Sequence, residues 1–296
     1  MNRSLPSPTE RVVLNPAERS AAVVDVINSA RERLSLSLFR CDDHAVLDAL
    51  GAAVERGVRV EALLTSRAKG SKAQLRHLEA FLRTRGADVR RYSDTVVRYH
   101  AKYIVADSGP ALVASLNFTK KCFTETCDFL LVTTDPVVVS GLRTVFDTDR
   151  NGARSAAAAD VGDRLIVGPE EARRRFTALF ESASHRIRII DPKIDDPAML
   201  TLLKARAAAG VTVEIRAAQG LGALRPHGKL LIIDDATAVI GSISLSTLAL
   251  EFRRELAVVT RDSGCLAALN QFWGSLPEVV NGGLGAAASA APLPWR

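Results

Sequence analysis

The segment "RYHAKYIVAD", residues 98–107, decides how this chain is read, because "RPHGKLLIID", residues 225–234, repeats its pattern. Each places an Arg, a His and a Lys at alternate positions, runs on through apolar residues and ends on an Asp. Side chains alternate faces along extended backbone, so Arg98, His100 and Lys102 share one side, as do Arg225, His227 and Lys229. The repetition extends beyond the motif. Arg98–Asp135 aligns without a gap to Arg225–Asp262 at a constant shift of 127, pairing His100 with His227, Lys102 with Lys229, Asp107 with Asp234, Ser115 with Ser242, Thr133 with Thr260 and Asp135 with Asp262. Upstream, residues 33–64 align with 186–217 at a shift of 153, so the first copy carries 26 extra residues. A fixed internal repeat of this kind marks a duplicated structural unit.

Within each copy, strand and helix patterns alternate. The apolar run Leu34–Phe39 precedes Val46, Leu47, Leu50 and Val54 at helical spacing, Gly57 closes the helix, and "VRVEALL" follows as a strand. In the extra segment, Leu75, Leu78, Phe81 and Leu82 mark an amphipathic helix over 71–85 ended by Gly86, with "ADVRRY" as the next strand. "HAKYIVAD" and "ALVASLN" form two more strands joined by a turn at Ser108–Pro110. Asp42–Asp43 and Asp195–Asp196 stand where carboxylates cap helices. The expected fold is therefore α/β: two pseudo-twofold-related α-β-α lobes with mixed, mostly parallel sheets packed side by side. The first lobe takes residues 1–150, a linker 151–163, the second lobe 164–280, and a flexible tail 281–296.

With 47% hydrophobic and 24% charged residues, the 296-residue chain has a soluble globular balance. Its four cysteines, Cys41, Cys122, Cys127 and Cys265, form no zinc-like or disulfide-like spacing, and reduced buried thiols are expected, with no metal and no cofactor. Nothing approaches the roughly 18 to 20 apolar residues of a membrane span, and the N-terminal stretch has no signal-peptide core, so the expected location is cytoplasmic. A net charge of +6 favours an anionic partner, and residues 65–99, with nine Lys or Arg against three acids, account for all of it. His44, His77 and His185 have no partner pattern; Arg98 and Arg225 could contact phosphate or simply face solvent.

If the copies pack face to face, two imidazoles and two ammonium groups converge on one pocket. A phosphodiester is cleaved when a nucleophile attacks phosphorus while an acid protonates the departing oxygen, and histidine performs either role near neutral pH. The lysines would hold non-bridging oxygens and stabilise the developing charge without a metal.

The paired H-x-K-x4-D motifs, each followed by a serine-rich element, resemble those of the phospholipase D superfamily over about residues 20–275. By position, the resemblance implies that His100 is the nucleophile, forming a phosphohistidine, and His227 the acid that later activates water, or the reverse order. It implies that Lys102, Lys229, Ser115, Asn117, Ser242 and Ser244 bind phosphate oxygens, with Ser244 standing where the family has Asn. It implies that the acids eleven positions on from Asn117 and Ser244, Asp128 and Glu255, hold histidine rings, Asp128 being one methylene shorter than the family's Glu and expected at the first histidine. Asp107 and Asp234, at the far ends of their strands, are expected to tie down turns. The substrate expected first is a phospholipid, hydrolysed or transferred by a monomer in possible peripheral contact with an anionic membrane, the helix at 71–85 resting on headgroups. The family's lipid synthases usually carry N-terminal membrane helices, absent from this sequence, which favours a hydrolase. A nuclease is the alternative, disfavoured by an aromatic content of 5%. A non-catalytic phosphate- or anionic-lipid-binding module is the second alternative.

Overall fold

The computed structural model describes residues 9–67, 71–152, 161–217 and 221–277. The expected tail at 281–296 and the greater part of the expected linker lie outside the described residues. The first copy runs β1 (Glu10–Val13), α1 (Pro16–Ser29), β2 (Arg33–Leu38), α2 (His44–Glu55), β3 (Arg59–Leu64), α3 (Lys72–Thr84), β4 (Asp88–Arg91), β5 (Arg98–Tyr99), β6 (Tyr103–Ala106), β7 (Ala111–Ala114), α4 (Lys120–Thr124), β8 (Thr126–Cys127), β9 (Leu130–Thr133) and α5 (Pro136–Arg150). The second runs β10 (Leu165–Val167), α6 (Ala172–Ser182), β11 (Arg186–Ile190), α7 (Pro197–Ala208), β12 (Thr212–Arg216), β13 (Arg225–Pro226), β14 (Leu230–Ile233), β15 (Thr237–Gly241), α8 (Thr247–Phe252), β16 (Arg253–Arg254), β17 (Leu256–Thr260) and α9 (Ser263–Ser275).

Equivalent residues start and stop equivalent helices. Asp43 accepts the Val46 amide of α2 at 3.1 Å and Asp196 the Met199 amide of α7 at 3.1 Å, each satisfying an otherwise orphaned donor. Gly57 and Gly210, which end these helices, have φ of +83° and +93°, a region that costs glycine little and other residues much. Asp107 and Asp234 occupy positive φ as well, 43° and 50°, and spend their carboxylates on backbone. Asp107 accepts the amides of Arg31, Glu32 and Arg33, and Asp234 those of Ser184, His185 and Arg186, at 2.7–2.9 Å. In each copy this stitches the end of one strand to the start of the strand beside it.

Strand order is β1-β9-β7-β6-β2-β3-β4 in the first sheet and β10-β17-β15-β14-β11-β12 in the second. Both sheets are mixed. Within these two sheets, parallel pairing is confined to the β-α-β units, β2–β3–β4 and β11–β12. The remaining main-sheet pairs run antiparallel because hairpins and returning edge strands, not helical crossovers, connect them. The parallel character expected from sequence thus belongs to those units rather than to the sheets' majority of pairings.

Alternation along β6 sends Ile104 and Ala106 to an outer core beneath α1, α2 and α3, and Tyr103 and Val105 to a core shared by the two sheets. That shared core is filled by α5 (Val138, Leu142, Phe146) and α9 (Leu266, Leu269, Trp273); the second sheet's outer face packs on α6 and α7. The layers are therefore helix, sheet, helix, sheet, helix. At the pseudo-twofold, the buried Glu10 carboxylate accepts the hydroxyls of both Thr133 and Thr260, which are equivalent residues in the repeat, and pairs with Arg164.

Replacing Glu10 by Ala leaves the buried Thr133 and Thr260 hydroxyls without their acceptor and Arg164 with only Asp135 and the Val259 carbonyl, and is expected to destabilise the chain by about 3 kcal/mol. Denaturant unfolding measures this, and a loss under about 1 kcal/mol would show that the lobes do not depend on that carboxylate.

Candidate active site

Both motifs leave their own sheet before the histidine. β5 pairs in parallel with β16 of the other lobe, Arg98 opposite Arg253, and β13 pairs in parallel with β8, Arg225 opposite Thr126. The His100 amide bonds the Arg254 carbonyl at 2.8 Å, and the Gly228 amide bonds the Cys127 carbonyl at 2.7 Å. His100–Lys102 and His227–Lys229 consequently lie in the crossings between short strands, not within the strands the sequence suggests. The His100 and Gly228 amides thus bond the neighbouring lobe, while the Lys102 carbonyl already accepts the Ala114 amide of its own, and the regular ladder starts only at Tyr103 and Leu230.

The acids are crossed between the copies. His100 Nδ1 lies 2.6 Å from Glu255 of the second lobe, and His227 Nδ1 lies 2.9 and 3.0 Å from the two oxygens of Asp128 of the first. The sequence-based expectation that Asp128 holds the first histidine is thus corrected. The cause is the interlobe strand pairing, which lays each motif against the acid-bearing strand of the opposite copy. With Nδ1 donating to a carboxylate, Nε2 is the nitrogen left to meet a substrate. Gly228 shows how close the approach is: a Cβ there would stand 2.4 Å from the Cys127 carbonyl oxygen and 2.9 Å from Asp128 Cα, whereas the equivalent in the first motif is Ala101.

Two expected phosphate ligands are committed elsewhere. Ser115 donates to Asp128 Oδ1 at 2.7 Å and accepts the Phe129 amide at 2.9 Å, which uses its single proton. Ser242 is paired with the Leu256 backbone, accepting its amide at 3.2 Å and facing its carbonyl at 3.4 Å. These buried hydroxyls support the acid-bearing strands. Ser244 lies 2.8 Å from Ser246, the N-cap of α8. Asn117 is nearly buried, its Oδ1 without a hydrogen-bond partner among the described residues.

Lys102 Nζ donates to the His100 carbonyl at 2.5 Å and lies 3.1 Å from His100 Nδ1; Lys229 Nζ donates to the His227 carbonyl at 2.7 Å. Burial, then Lys102, Arg253, Lys229 and His227, hold His100 well below the ordinary histidine pKa. Burial likewise depresses Lys102. Burial also lowers His227, together with Lys229 and Lys102, while Asp128 pulls it the other way. Asp128 itself ends below the usual carboxylate range, because His227 and hydrogen bonds from Thr126 and Ser115 outweigh burial. Glu255, fully buried with Oε2 unpartnered, is raised by desolvation. The mutual influence of His100, His227, Lys102 and Lys229 gathers both motifs into one electrostatic site.

Sequence reasoning missed three residues there. Phe39 sets its ring against the His100 ring in a T-shape at 4.6 Å and under Lys102 at 5.3 Å. Arg253 approaches Glu255 at 3.5 Å. Asp191, buried beside Lys229 and accepting the Lys193 and Leu245 amides, is pushed up by burial to about 7. Only Arg253 had a sequence signal, its place two residues before Glu255; Phe39 and Asp191 are not repeated, their counterparts being Pro192 and Leu38. Arg98 and Arg225 are exposed, Arg225 standing 3.6 Å from Glu125. Cys122, Asp128 and His227 bring potential metal-ligating atoms within 4.8 Å, but Asp128 is already held by Ser115, Thr126 and the imidazole.

A duplicated α/β fold joins two His–Lys pairs across its lobe interface, and this architecture has counterparts among known proteins. Residues 23–150 match the family described as "Cardiolipin synthase, PLD-like domain". Cardiolipin synthase A of Pseudomonas aeruginosa is 29% identical over 174 residues, 57% of this chain and 32% of that protein, so the chain spans about a third of that relative's length. Among solved structures, phosphatidylserine synthase of Haemophilus influenzae aligns over 92% of this chain and 86% of its own with a TM-score of 0.69 and 12% identity. Polyphosphate kinase of Porphyromonas gingivalis aligns over 92% of this chain and 48% of its own with a TM-score of 0.74 and 16% identity. At those identities the structures speak to the fold. The match to a phospholipase D-like domain thus covers residues 23–150, the greater part of the first copy.

Gly228→Ala tests the crossed geometry: the added methyl is expected to push His227 off Asp128 and cut turnover by 10- to 100-fold, as loss of an orienting partner does, with the folded state retained by circular dichroism. Wild-type turnover in that variant would mean that the contact does not position the ring.

Proposed function

We propose that the chain is a metal-independent phosphodiesterase of the phospholipase D type, acting on a phosphatidyl group through a phosphohistidine intermediate. The observation that carries this reading is the crossed pairing: two imidazoles, each fixed through Nδ1 by the other lobe's acid, with a lysine beside each. His100 is the better nucleophile, because burial and surrounding cations keep its ring neutral with a free lone pair on Nε2. His227 is the better acid, because Asp128 favours its protonated form.

In the first step the N–P bond forms, the P–O bond to the leaving alcohol breaks, and the His227 proton goes to the departing oxygen. In the second, neutral His227 takes a proton from water or an alcohol whose oxygen attacks phosphorus, releasing His100. Lys102 and Lys229 offset the charge gathering on the non-bridging oxygens. Arg253, close to the same imidazole, adds a third positive charge.

A phospholipid substrate is supported by the phospholipase D-like motifs, by the match of residues 23–150 to the PLD-like domain of cardiolipin synthase and by the 29% identity to cardiolipin synthase A over 174 residues. Among the described residues no helix is long and apolar enough to cross a membrane, which is compatible with peripheral contact at a lipid surface. The exposed Lys72 and Arg76 of α3 suit such a contact, whereas Arg83 and Arg91 are engaged with Glu79. Both histidines lie in one chain, so a monomer suffices.

Purified protein in EDTA is expected to release headgroup from phosphatidylcholine or phosphatidylglycerol and to form phosphatidylethanol when ethanol is added. His100→Ala abolishes both. Cutting of single-stranded DNA alone would replace the lipid reading with a nuclease, and no product from any substrate would leave a binding module.

The pH dependence follows from the environments. Both histidine values are depressed, so kcat/KM is expected to peak on the acidic side of the ordinary value of about 6.5. Asp128→Asn removes what raises His227 and moves the basic limb to lower pH; movement of that limb in Glu255→Gln instead would exchange the two histidine roles.

A further inference from the structure

Arg19 lies on α1, away from both motifs, yet it is only 1% exposed and its guanidinium is aimed at the segment that carries Asp128. Nη1 donates to the carbonyls of Cys122 at 3.0 Å and Thr126 at 2.7 Å; Nη2 donates to those of Leu14 at 3.1 Å and Asp128 at 2.9 Å. Three of the four acceptors belong to the stretch from α4 through β8 to Asp128, the stretch that also pairs with β13 just ahead of His227. Buried carbonyls need donors, and the planar fork of one arginine supplies four in fixed directions where a lysine ammonium supplies three from a point. The arrangement is not repeated. At the shift of 153 the counterpart of Arg19 is Ala172, and the acid-bearing strand of the second lobe is held instead by Arg254, which pairs with Asp149 and Glu170.

We infer that Arg19 is a positioning residue: by tying down the Thr126 and Asp128 carbonyls it holds the Asp128 carboxylate against His227 and so governs the protonation of that imidazole from outside the site. This rests on the functional reading above only where turnover is concerned. The electrostatic consequence belongs to the free protein. The groups acting on His227 are Asp128, which raises its pKa, and Lys229 and Lys102, which lower it; His100 belongs to the same electrostatic site and Cys122 Sγ lies within 4.8 Å. Of these, Asp128 is the one whose backbone Arg19 bonds, and Cys122 shares the same guanidinium.

Arg19→Lys is the decisive variant, because it keeps the positive charge and removes the fork. NMR titration of the five histidines, with His227 assigned by its own substitution, is expected to show a lower His227 pKa in Arg19→Lys and an unmoved His100. In an Asp128→Asn background the same substitution should produce no further fall, since the contact it relaxes is already gone. Where turnover is measured, kcat should drop 10- to 100-fold with KM nearly unchanged. An unaltered His227 titration, or equal movement of both catalytic histidines, would overturn the inference, the latter because it would signal general loosening. The titration is read without substrate, so failure of the lipid assignment leaves it intact.

Discussion

A carboxylate that reaches across a lobe boundary to orient an imidazole is the interaction on which the rest of this structure depends. An isolated histidine ring can rotate and carry its proton on either nitrogen; a carboxylate on Nδ1 removes both freedoms. The acid has to be buried to be rigid, and a buried carboxylate has to be hydrogen-bonded. Asp128 meets that demand with Ser115, Thr126 and His227. The duplicated fold then adds a geometric condition: the two short parallel ribbons, β5–β16 and β13–β8, must form before either ring can be held. Packing between the lobes is thus a precondition of the site's chemistry, and the shared core of α5 and α9 together with the Glu10 clamp supplies it.

Duplication did not produce two equal halves. His100 is wedged against Phe39 and ringed by cations, while His227 meets a doubly contacting carboxylate and lies beside Asp191 only through Lys229. The shorter Asp128 is braced from behind by Ser115; the longer Glu255 reaches its ring without help from Ser242 and leaves one oxygen unpartnered. Such differences push the protonation preferences of two chemically identical groups apart, which the proposed division into acid and nucleophile requires.

Much of this was legible in the chain. The gapless shift of 127 identified the His–Lys pairs, and the upstream shift of 153 the repeated Asp43 and Asp196 caps and the β-α-β units, because hydrophobic periodicity and capping are local properties. What escaped were relations fixed by tertiary placement. Side-chain alternation put His100 and Lys102 on a strand, but the His100 amide finds its partner, the Arg254 carbonyl, in the other lobe, so the strand breaks there. The family resemblance pointed Asp128 to the histidine of its own copy, since a linear pattern cannot reveal that equivalent segments exchange partners. Arg19 and Phe39 carry no repeat and no motif, and only contacts distinguish them from ordinary core residues.

The exchange of partners between copies has a consequence for how such chains diverge. A change at residue 128 looks, in a linear alignment, like decay of the first copy, yet the ring it disarms belongs to the second. Neither copy is therefore self-sufficient: each lends the other the carboxylate that steadies its imidazole, and damage to one acid falls on the opposite half.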